Sequence, residues 1–212
     1  LEEGLIKADI PYVIYSGAQF FDRMEIKDAL CYLRMIACRD DMAFRRIVNK
    51  PKRNIGRRRM DFLTEKAQEE NTSLYETLKK YVEDPLFKKT KAGDFIDLIE
   101  YFTKDSEGKQ VSEVLSAILD ESGYEKMLRT EGSQERLDDL AELKQSIFEY
   151  ESTAGEETSI SDYLDHAALF SNMDRGPERD AVRLMTVHTA KGLEFPVVFL
   201  CGMNEGIFPS RK

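Results

Sequence analysis

Two short apolar runs near the carboxyl end constrain the fold of this chain more than any other feature. Residues 182–187 and 197–200 are rich in β-branched and long apolar side chains, and Pro196 opens the second run. Such runs are too apolar for one face to lie in water, which is typical of strands covered on both faces. We therefore expect both runs to form strands of a buried sheet. The polar residues that follow the first run lie at the strand end where open α/β sheets bind ligands.

A third strand is predicted near the amino end of the chain. Residues 12–15 are apolar or aromatic, Pro11 precedes them, and Gly17 follows them closely. A proline ends any helix that comes before it, and a glycine interrupts a strand. The strand signals therefore lie at the two ends of the sequence, and the chain between them must be examined for helices.

Residues 40–180 show helical spacing of apolar side chains almost throughout. The chain is therefore expected to be mainly α, with a helical domain inserted between two parts of an α/β domain. Two helix starts are predicted from capping pairs, Asp22 with Glu25 and Ser73 with Glu76. The longest helix is predicted to start at Ser133. The residues expected on its inward face are Leu137, Leu140, Ala141, Ile147 and Phe148.

Composition excludes several classes of protein. The chain has 212 residues, of which 42% are hydrophobic and 33% are charged, as in a soluble globular protein. No apolar run is long enough to span a bilayer, and no signal peptide opens the sequence, so we expect a cytoplasmic protein without a membrane partner. The three cysteines show no metal-binding spacing, and we expect reduced thiols and no metal site.

Charge is distributed very unevenly along the chain. The net charge of −9 argues against general binding of nucleic acid. However, residues 45–59 contain eight Lys or Arg and no acid, whereas residues 130–180 contain fourteen acids and four bases. This distribution fits a protein that meets phosphate at one place only.

The basic stretch includes a turn, residues 51–58, that joins two predicted short helices. Gly56 lies near the start of the second helix, where free N–H groups and the helix dipole attract anions. With cationic side chains on both sides, the turn could hold duplex phosphates without reading bases. A basic turn that is merely solvated explains the composition equally well.

Two stretches of the sequence resemble a known family. Residues 182–200 follow the pattern of motif V in superfamily-one DNA helicases of the UvrD/PcrA/Rep type, which is an apolar strand, Thr-x-His-x-x-Lys-Gly-Leu-Glu-Phe, and a second apolar strand. Residues 202–209 match the continuation of that motif. Residues 12–34 are similar to the string that follows motif IV. They depart from it at Ala18, where relatives often carry a second Gly or another small residue after Gly17.

The resemblance implies a specific domain organisation. In these helicases the second RecA-like domain, called 2A, is interrupted by a helical subdomain called 2B. On this pattern residues 1–39 are part of 2A, residues 40–178 form 2B, and residues 179–212 return to 2A. The expected fold is a helical subdomain inserted into part of a RecA-like α/β domain with a short, mostly parallel sheet.

The resemblance also implies roles for individual residues. Thr186, His188 and Lys191 would contact single-stranded DNA, and Gly192 and Glu194 would face the nucleotide. The basic turn resembles a hairpin motif, often Gly-Ile-Gly, that holds the duplex ahead of the fork; Asn54 replaces its first Gly here, and Asn tolerates positive φ better than most residues. The residues expected to contact duplex DNA are Lys52, Arg53, Asn54, Gly56, Arg57 and Arg58.

The sequence lacks a Gly-x-x-x-x-Gly-Lys-Ser/Thr phosphate loop. We therefore expect a portion of a larger ATP-dependent 3′→5′ DNA helicase that uses ATP and Mg²⁺, with no cofactor and no activity in this portion alone. The implied partners are single-stranded DNA, the duplex junction, and repair or replication proteins. Two alternatives are a helicase-nuclease subunit and a non-catalytic protein-docking or regulatory module.

Overall fold

The computed structural model describes residues 5, 8, 10–15, 20–154, 158–173, 181–187 and 190–203. The chain divides into two compact units. Leu1–Gly17 and Pro177–Lys212 form the first, which we call the strand unit. Ala18–Gly176 form the second, which we call the helical unit. The assignment of residues 1–39 and 179–212 to 2A and of residues 40–178 to 2B stays a prediction.

The strand unit contains a parallel pair of strands. Strand β1 is Tyr12–Tyr15 and strand β2 is Val182–Met185. Tyr12 lies opposite Val182, and Tyr15 lies opposite Met185. The strand predicted at residues 12–15 is confirmed, and the one predicted at 182–187 is confirmed over its first four residues. The predicted burial of the second strand is wrong for this structure, since Val182 is 41% exposed and only two strands of the sheet lie within the described residues. The pairing joins two segments at opposite ends of the sequence, as the inserted-domain prediction requires.

The strand predicted at residues 197–200 does not form. The run is irregular, and Phe199 is 86% exposed rather than buried. A strand needs a neighbour to accept and donate its backbone hydrogen bonds. Within the described residues the sheet has only β1 and β2, so the apolar composition of this run was not sufficient to make it a strand.

The helical unit contains nine α-helices within the described residues, and a 3₁₀ turn, Phe20–Asp22, precedes the first of them. None of these helices is both long and apolar enough to cross a membrane. The helices are α1 Met24–Cys38, α2 Asp41–Ile47, α3 Arg57–Glu70, α4 Leu74–Tyr81, α5 Ala92–Asp105, α6 Val111–Glu121, α7 Tyr124–Thr130, α8 Gln134–Ala154 and α9 Ile160–Met173. The mainly α prediction is therefore confirmed.

Helix α1 is the central helix of this unit. It packs against α2, α5, α6, α8 and α9, and nine of its 15 residues are buried. A helix covered on several sides buries its polar side chains as well as its apolar ones. Glu25 and Asp28 of α1 are both buried, and a buried carboxylate is tolerated only with charged or hydrogen-bonding partners. One partner of Asp28 is Lys50, which lies immediately before the predicted basic turn.

The two capping predictions have different outcomes. Ser73 is the N-cap of α4, and its Oγ accepts a hydrogen bond from the backbone N–H of Glu76 at 3.2 Å, as predicted. Asp22 does not cap α1. The helix starts at Met24 with Arg23 at the N-cap position, because Asp22 belongs to the preceding 3₁₀ turn, from which it forms an ion pair with Lys27.

The longest described helix is α8, and it starts one residue after the predicted Ser133. Leu140 and Ile147 are buried as predicted, but Ala141 is exposed and Phe148 is 50% exposed. The buried stripe continues through Leu143 instead. Spacings of three and four residues place these three buried side chains on one face, and the positions immediately after them point away from it.

Candidate nucleic-acid interface

The predicted basic turn is a hydrogen-bonded loop between α2 and α3. The Asn49 side-chain oxygen accepts hydrogen bonds from the backbone N–H groups of Arg53 at 2.8 Å and Ile55 at 3.1 Å. Ile55 is buried and anchors the loop. Asn54, between these two residues, has a φ of 62°, so the expectation that asparagine would sustain the turn at positive φ is confirmed.

Arg53 lies inside the turn rather than on its surface. The side chain is 5% exposed, and the guanidinium lies 4.9 Å from the centre of the Phe95 ring. Its Nη1 donates to the carbonyl oxygens of Ile47, Val48 and Lys50 at 3.1, 3.3 and 3.0 Å. Helix α2 ends here, and its last carbonyls lack partners within the helix and attract a cation. Arg53 was predicted to contact phosphate, but its guanidinium instead donates hydrogen bonds to the carbonyl groups at the end of helix α2.

Three other predicted cations of the turn are in solvent. Lys52, Arg57 and Arg58 are all exposed. Arg57 approaches Asp61 at 3.9 Å, but both side chains are largely exposed, and such a pair holds an arginine only weakly. Lys52 and Arg58 form no hydrogen bond or ion pair with any residue that the structure describes. These three side chains are free to meet an anionic partner.

The amino end of α3 adds backbone donors to this surface. Gly56 occupies the N-cap position with no side chain to cap the helix. Its carbonyl accepts the N–H groups of Arg59 and Met60, and the N–H groups of Arg57 and Arg58 have no backbone acceptor among the described residues. Free N–H groups at the positive end of a helix dipole attract phosphate oxygens. A side chain at position 56 would meet no atom within 4 Å, so the approach to this helix end is open.

A second turn lies against the first. The backbone N–H of Lys91 donates to the carbonyl oxygen of Arg53 at 3.0 Å. The Arg59 guanidinium joins the two turns, since Nε donates to the carbonyl of Leu86 at 2.7 Å and Nη1 donates to that of Asn54 at 2.8 Å. We call residues 84–91 the lysine turn.

The lysine turn brings cations that the sequence interpretation missed. Lys88, Lys89 and Lys91 are exposed on it. Three lysines within four residues are a weak signal by themselves, because such runs are common on solvated surfaces. Only the hydrogen bonds between the turns show that these lysines extend the same cationic surface. The exposed cations of that surface are Lys52, Arg57, Arg58, Lys88, Lys89 and Lys91.

A buried polar network lies behind the basic turn. Asp28 of α1 is 1% exposed and accepts hydrogen bonds from Arg46 Nε at 2.5 Å, from Lys50 Nζ at 2.9 Å and from the Tyr124 hydroxyl at 2.8 Å. Burial raises the pKa of Tyr124, and the neighbouring Asp28 carboxylate raises it further. Tyr124 therefore stays neutral and donates to Asp28.

The predicted motif V residues follow strand β2 in the strand unit. Thr186, Lys191, Gly192 and Glu194 are all exposed. Gly192 has a φ of 85°, a conformation that favours glycine, and the Thr186 carbonyl accepts a hydrogen bond from the N–H of Ala190 at 3.0 Å. His188 lies outside the described residues. The structure thus places four of the five predicted residues in the segment that follows the carboxyl end of a parallel strand, where ligands bind in α/β sheets.

The fold and these two surfaces define a class of protein that has a helical unit with an exposed cationic surface and a parallel strand pair followed by exposed polar residues. Comparison with known proteins gives the family. The whole chain, residues 1–212, matches the family model described as UvrD-like helicase C-terminal domain. The chain belongs to this family, and the resemblance identified from its motifs is confirmed.

Several curated proteins are similar over nearly the full chain. The "ATP-dependent DNA helicase PcrA" of Staphylococcus epidermidis is 39% identical over 216 residues, which cover 99% of this chain and 30% of that protein. The "ATP-dependent DNA helicase PcrA" of Staphylococcus aureus is 38% identical with the same coverage of both chains. The chain thus spans about 30% of the length of the curated relatives that it matches.

Proposed function

We propose that this chain acts within an ATP-dependent 3′→5′ DNA helicase, and that its helical unit contains the 2B subdomain that holds duplex DNA. The membership in the UvrD-like family and the similarity to ATP-dependent DNA helicases of the PcrA type support the helicase. The observation that carries the role of the helical unit is the cationic surface made by the basic turn, the lysine turn and the amino end of α3.

This surface suits the backbone of a duplex rather than its bases. Six exposed cations and two free backbone N–H groups can bind phosphate oxygens and release the counterions condensed on DNA. Lysine and arginine contacts to phosphate fix position but carry no sequence information. A helicase must hold any duplex that it meets, so contacts of this kind are the ones it requires.

The strand unit is proposed to serve the single strand and the nucleotide. Thr186 and Lys191 are exposed, a hydroxyl and an ammonium can each donate to a DNA backbone, and His188 is the third residue of this proposed contact. Gly192 and Glu194 would face the ribose of ATP, where an exposed carboxylate can accept a hydrogen bond from a ribose hydroxyl. ATP with Mg²⁺ would supply the energy for stepping along the strand.

The acidic stretch of residues 130–180 restricts where DNA can bind. Fourteen acids against four bases repel phosphate over that part of the chain. Binding should therefore be confined to the cationic surface of the two turns. Repair or replication proteins are the further partners that we propose, and the acidic helices offer them a surface of opposite charge to the DNA site.

Binding of a tailed duplex by the 212-residue chain tests the duplex role. The probes are a duplex with a 3′ single-stranded tail, a second duplex of unrelated sequence, and a single strand, each titrated from 50 to 200 mM salt. We expect both duplexes to bind alike, with a log–log salt slope of up to about −5 if six cations each meet one phosphate. No binding at 50 mM salt would contradict the proposal and would favour a protein-docking module.

A parallel assay addresses hydrolysis. The sequence contains no phosphate loop, and we expect no ATP turnover by this chain with or without single-stranded DNA. Turnover that rises with added DNA and follows the purified chain through gel filtration would contradict this part of the proposal.

A further inference from the structure

The basic turn is held in place by side chains that cannot themselves reach DNA. Tyr32 is fully buried, Asp28 is 1% exposed and Arg53 is 5% exposed. We infer that Tyr32, Asp28 and Arg53 are positioning residues. They fix the basic turn so that its exposed cations and the N–H groups at the amino end of α3 contact duplex phosphates at the same time. This inference rests on the duplex contact proposed above.

The first support is a closed set of hydrogen bonds at the start of the turn. The carbonyl oxygen of Lys50 accepts from the Tyr32 hydroxyl at 2.5 Å and from Arg53 Nη1 at 3.0 Å. Arg53 Nη2 also donates to the Tyr32 hydroxyl oxygen at 3.2 Å. Lys50 is followed at once by the turn. Tyr32 and Arg53 therefore hold the carbonyl group of Lys50, and with it the direction in which the chain enters the basic turn.

The second support is the position of Asp28. It lies on α1, the central helix, and its carboxylate holds the Lys50 ammonium at 2.9 Å and Arg46 Nε at 2.5 Å. A buried carboxylate without these partners would be strongly unfavourable, so the cations are retained and the base of the turn is tied to the core. The Tyr124 hydroxyl completes the set from α7.

The third support is that Arg53 links the two turns. Its guanidinium faces the core, and its backbone carbonyl accepts the N–H of Lys91 from the lysine turn. A change in the orientation of Arg53 would thus move both cationic turns. Ordering a loose loop when DNA binds costs conformational entropy, and a turn fixed beforehand avoids much of that cost. Loss of a positioning contact should therefore weaken DNA binding without removing any charge.

The sharpest test is Tyr32→Phe in the 212-residue chain, because it removes one hydroxyl and no charge. We expect about three- to tenfold weaker binding of the tailed duplex, the loss associated with one buried hydrogen bond. Amide hydrogen exchange should quicken at Arg53 and Ile55, whose N–H groups bond to Asn49. Tyr75→Phe is the matched control, since Tyr75 is equally buried but donates to Glu100 in a separate network.

A second pair of variants tests the sign of the effect. Asp28→Asn and Asp61→Asn each remove one negative charge, and Asp61 lies exposed beside Arg57. If charge alone mattered, both changes would strengthen binding of the polyanion. We expect Asp61→Asn to bind the duplex as tightly as wild type or more tightly, and Asp28→Asn to bind it more weakly. Should Asp28→Asn fail to fold in a thermal melt, Tyr32→Phe still decides the question.

The outcomes separate the inference from the proposed function. If the wild-type chain does not bind the duplex, the proposed function fails, and the positioning role fails with it. If wild type binds and Tyr32→Phe binds equally well, only the positioning role is overturned. Equal weakening by Tyr32→Phe and Tyr75→Phe overturns it too, because the effect would then be general loss of stability. Weakening by Tyr32→Phe alone, with faster exchange in the turn, supports it.

Discussion

The backbone N–H of Lys91 donates a hydrogen bond to the carbonyl oxygen of Arg53 at 3.0 Å. This bond joins the lysine turn to the basic turn, although an intervening pair of helices, α3 and α4, separates them along the chain. Two clusters of cations that look independent in the sequence thereby become one surface. If this surface is one DNA site, loss of cations from either turn should lower the salt dependence of duplex binding.

Replacing Arg57 and Arg58 together by alanine should flatten the salt dependence of duplex binding. Both side chains are exposed, and each phosphate contact contributes roughly 0.9 to the log–log slope. We expect the slope to fall by about two units and the affinity to fall equally for duplexes of different sequence. Fluorescence anisotropy at four or more salt concentrations measures both quantities.

The matched control for this variant removes two lysines near the carboxyl end of α5, whereas the lysine turn precedes the amino end of that helix. Lys104 and Lys109 are exposed, and Lys104 lies thirteen positions from Lys91, which is roughly 20 Å along a helix. Lys104→Ala with Lys109→Ala should leave the slope nearly unchanged. Equal slopes for the arginine variant and wild type would show that Arg57 and Arg58 are only a solvated surface.

Replacing the three lysines of the lysine turn by alanine should also flatten the slope. We expect a change of roughly 2 to 3 units for Lys88, Lys89 and Lys91 together, because all three are exposed beside the basic turn. Combining these changes with the arginine pair should abolish most of the salt dependence. A slope that responds to the arginines alone would restrict the duplex contact to the basic turn.

Local patterns in the sequence were sufficient for most of the fold. Strand β1 follows from an apolar run between a proline and a glycine, and the first four residues of the strand predicted at 182–187 follow from a second apolar run. The cap at Ser73 follows from side-chain chemistry within four residues. The run at 197–200 has the same local character but forms no strand. Strand formation depends on a neighbouring strand, which composition cannot reveal.

The candidate site was predictable only in part, for a related reason. The charge run around residues 45–59 located the basic turn, and the tolerance of asparagine for positive φ predicted the conformation of Asn54. The inward direction of Arg53 was not predictable, because it depends on the carbonyls at the end of α2 and on Phe95 of α5. The role of the lysine turn likewise depends on hydrogen bonds between distant segments.

Substitution of Asn54 tests the strain in the turn. Its φ of 62° is tolerated by asparagine and glycine but is unfavourable by about 1 kcal/mol or more for other residues. Asn54→Gly should leave the free energy of unfolding almost unchanged, whereas Asn54→Val should lower it by about 1–2 kcal/mol. Urea denaturation measures the difference. Lys52→Ala in the same turn, at a position without positive φ, is the control and should have little effect.

The stability of the helical unit should depend on pH through Glu100. Its carboxylate accepts hydrogen bonds from Lys79 at 2.9 Å, Tyr75 at 3.0 Å and Arg39 at 3.3 Å, and the Lys79 ammonium is the main cause that lowers the pKa of Glu100 below its ordinary value near 4.5. The unfolded chain therefore binds more protons than the folded one between the two pKa values, so the stabilisation is present above pH 4.5 and disappears as the pH falls through the lowered value. Glu100→Gln should cost about 1 kcal/mol at pH 7, since the site is partly exposed, and progressively less at acidic pH as the folded carboxylate becomes protonated. Urea denaturation at neutral and acidic pH measures these costs.

The control variant is Glu113→Gln, which replaces an exposed carboxylate on α6 and should change stability little at either pH. If Glu100→Gln were equally costly at both pH values, the loss would come from packing, and the carboxylate charge would not contribute to stability.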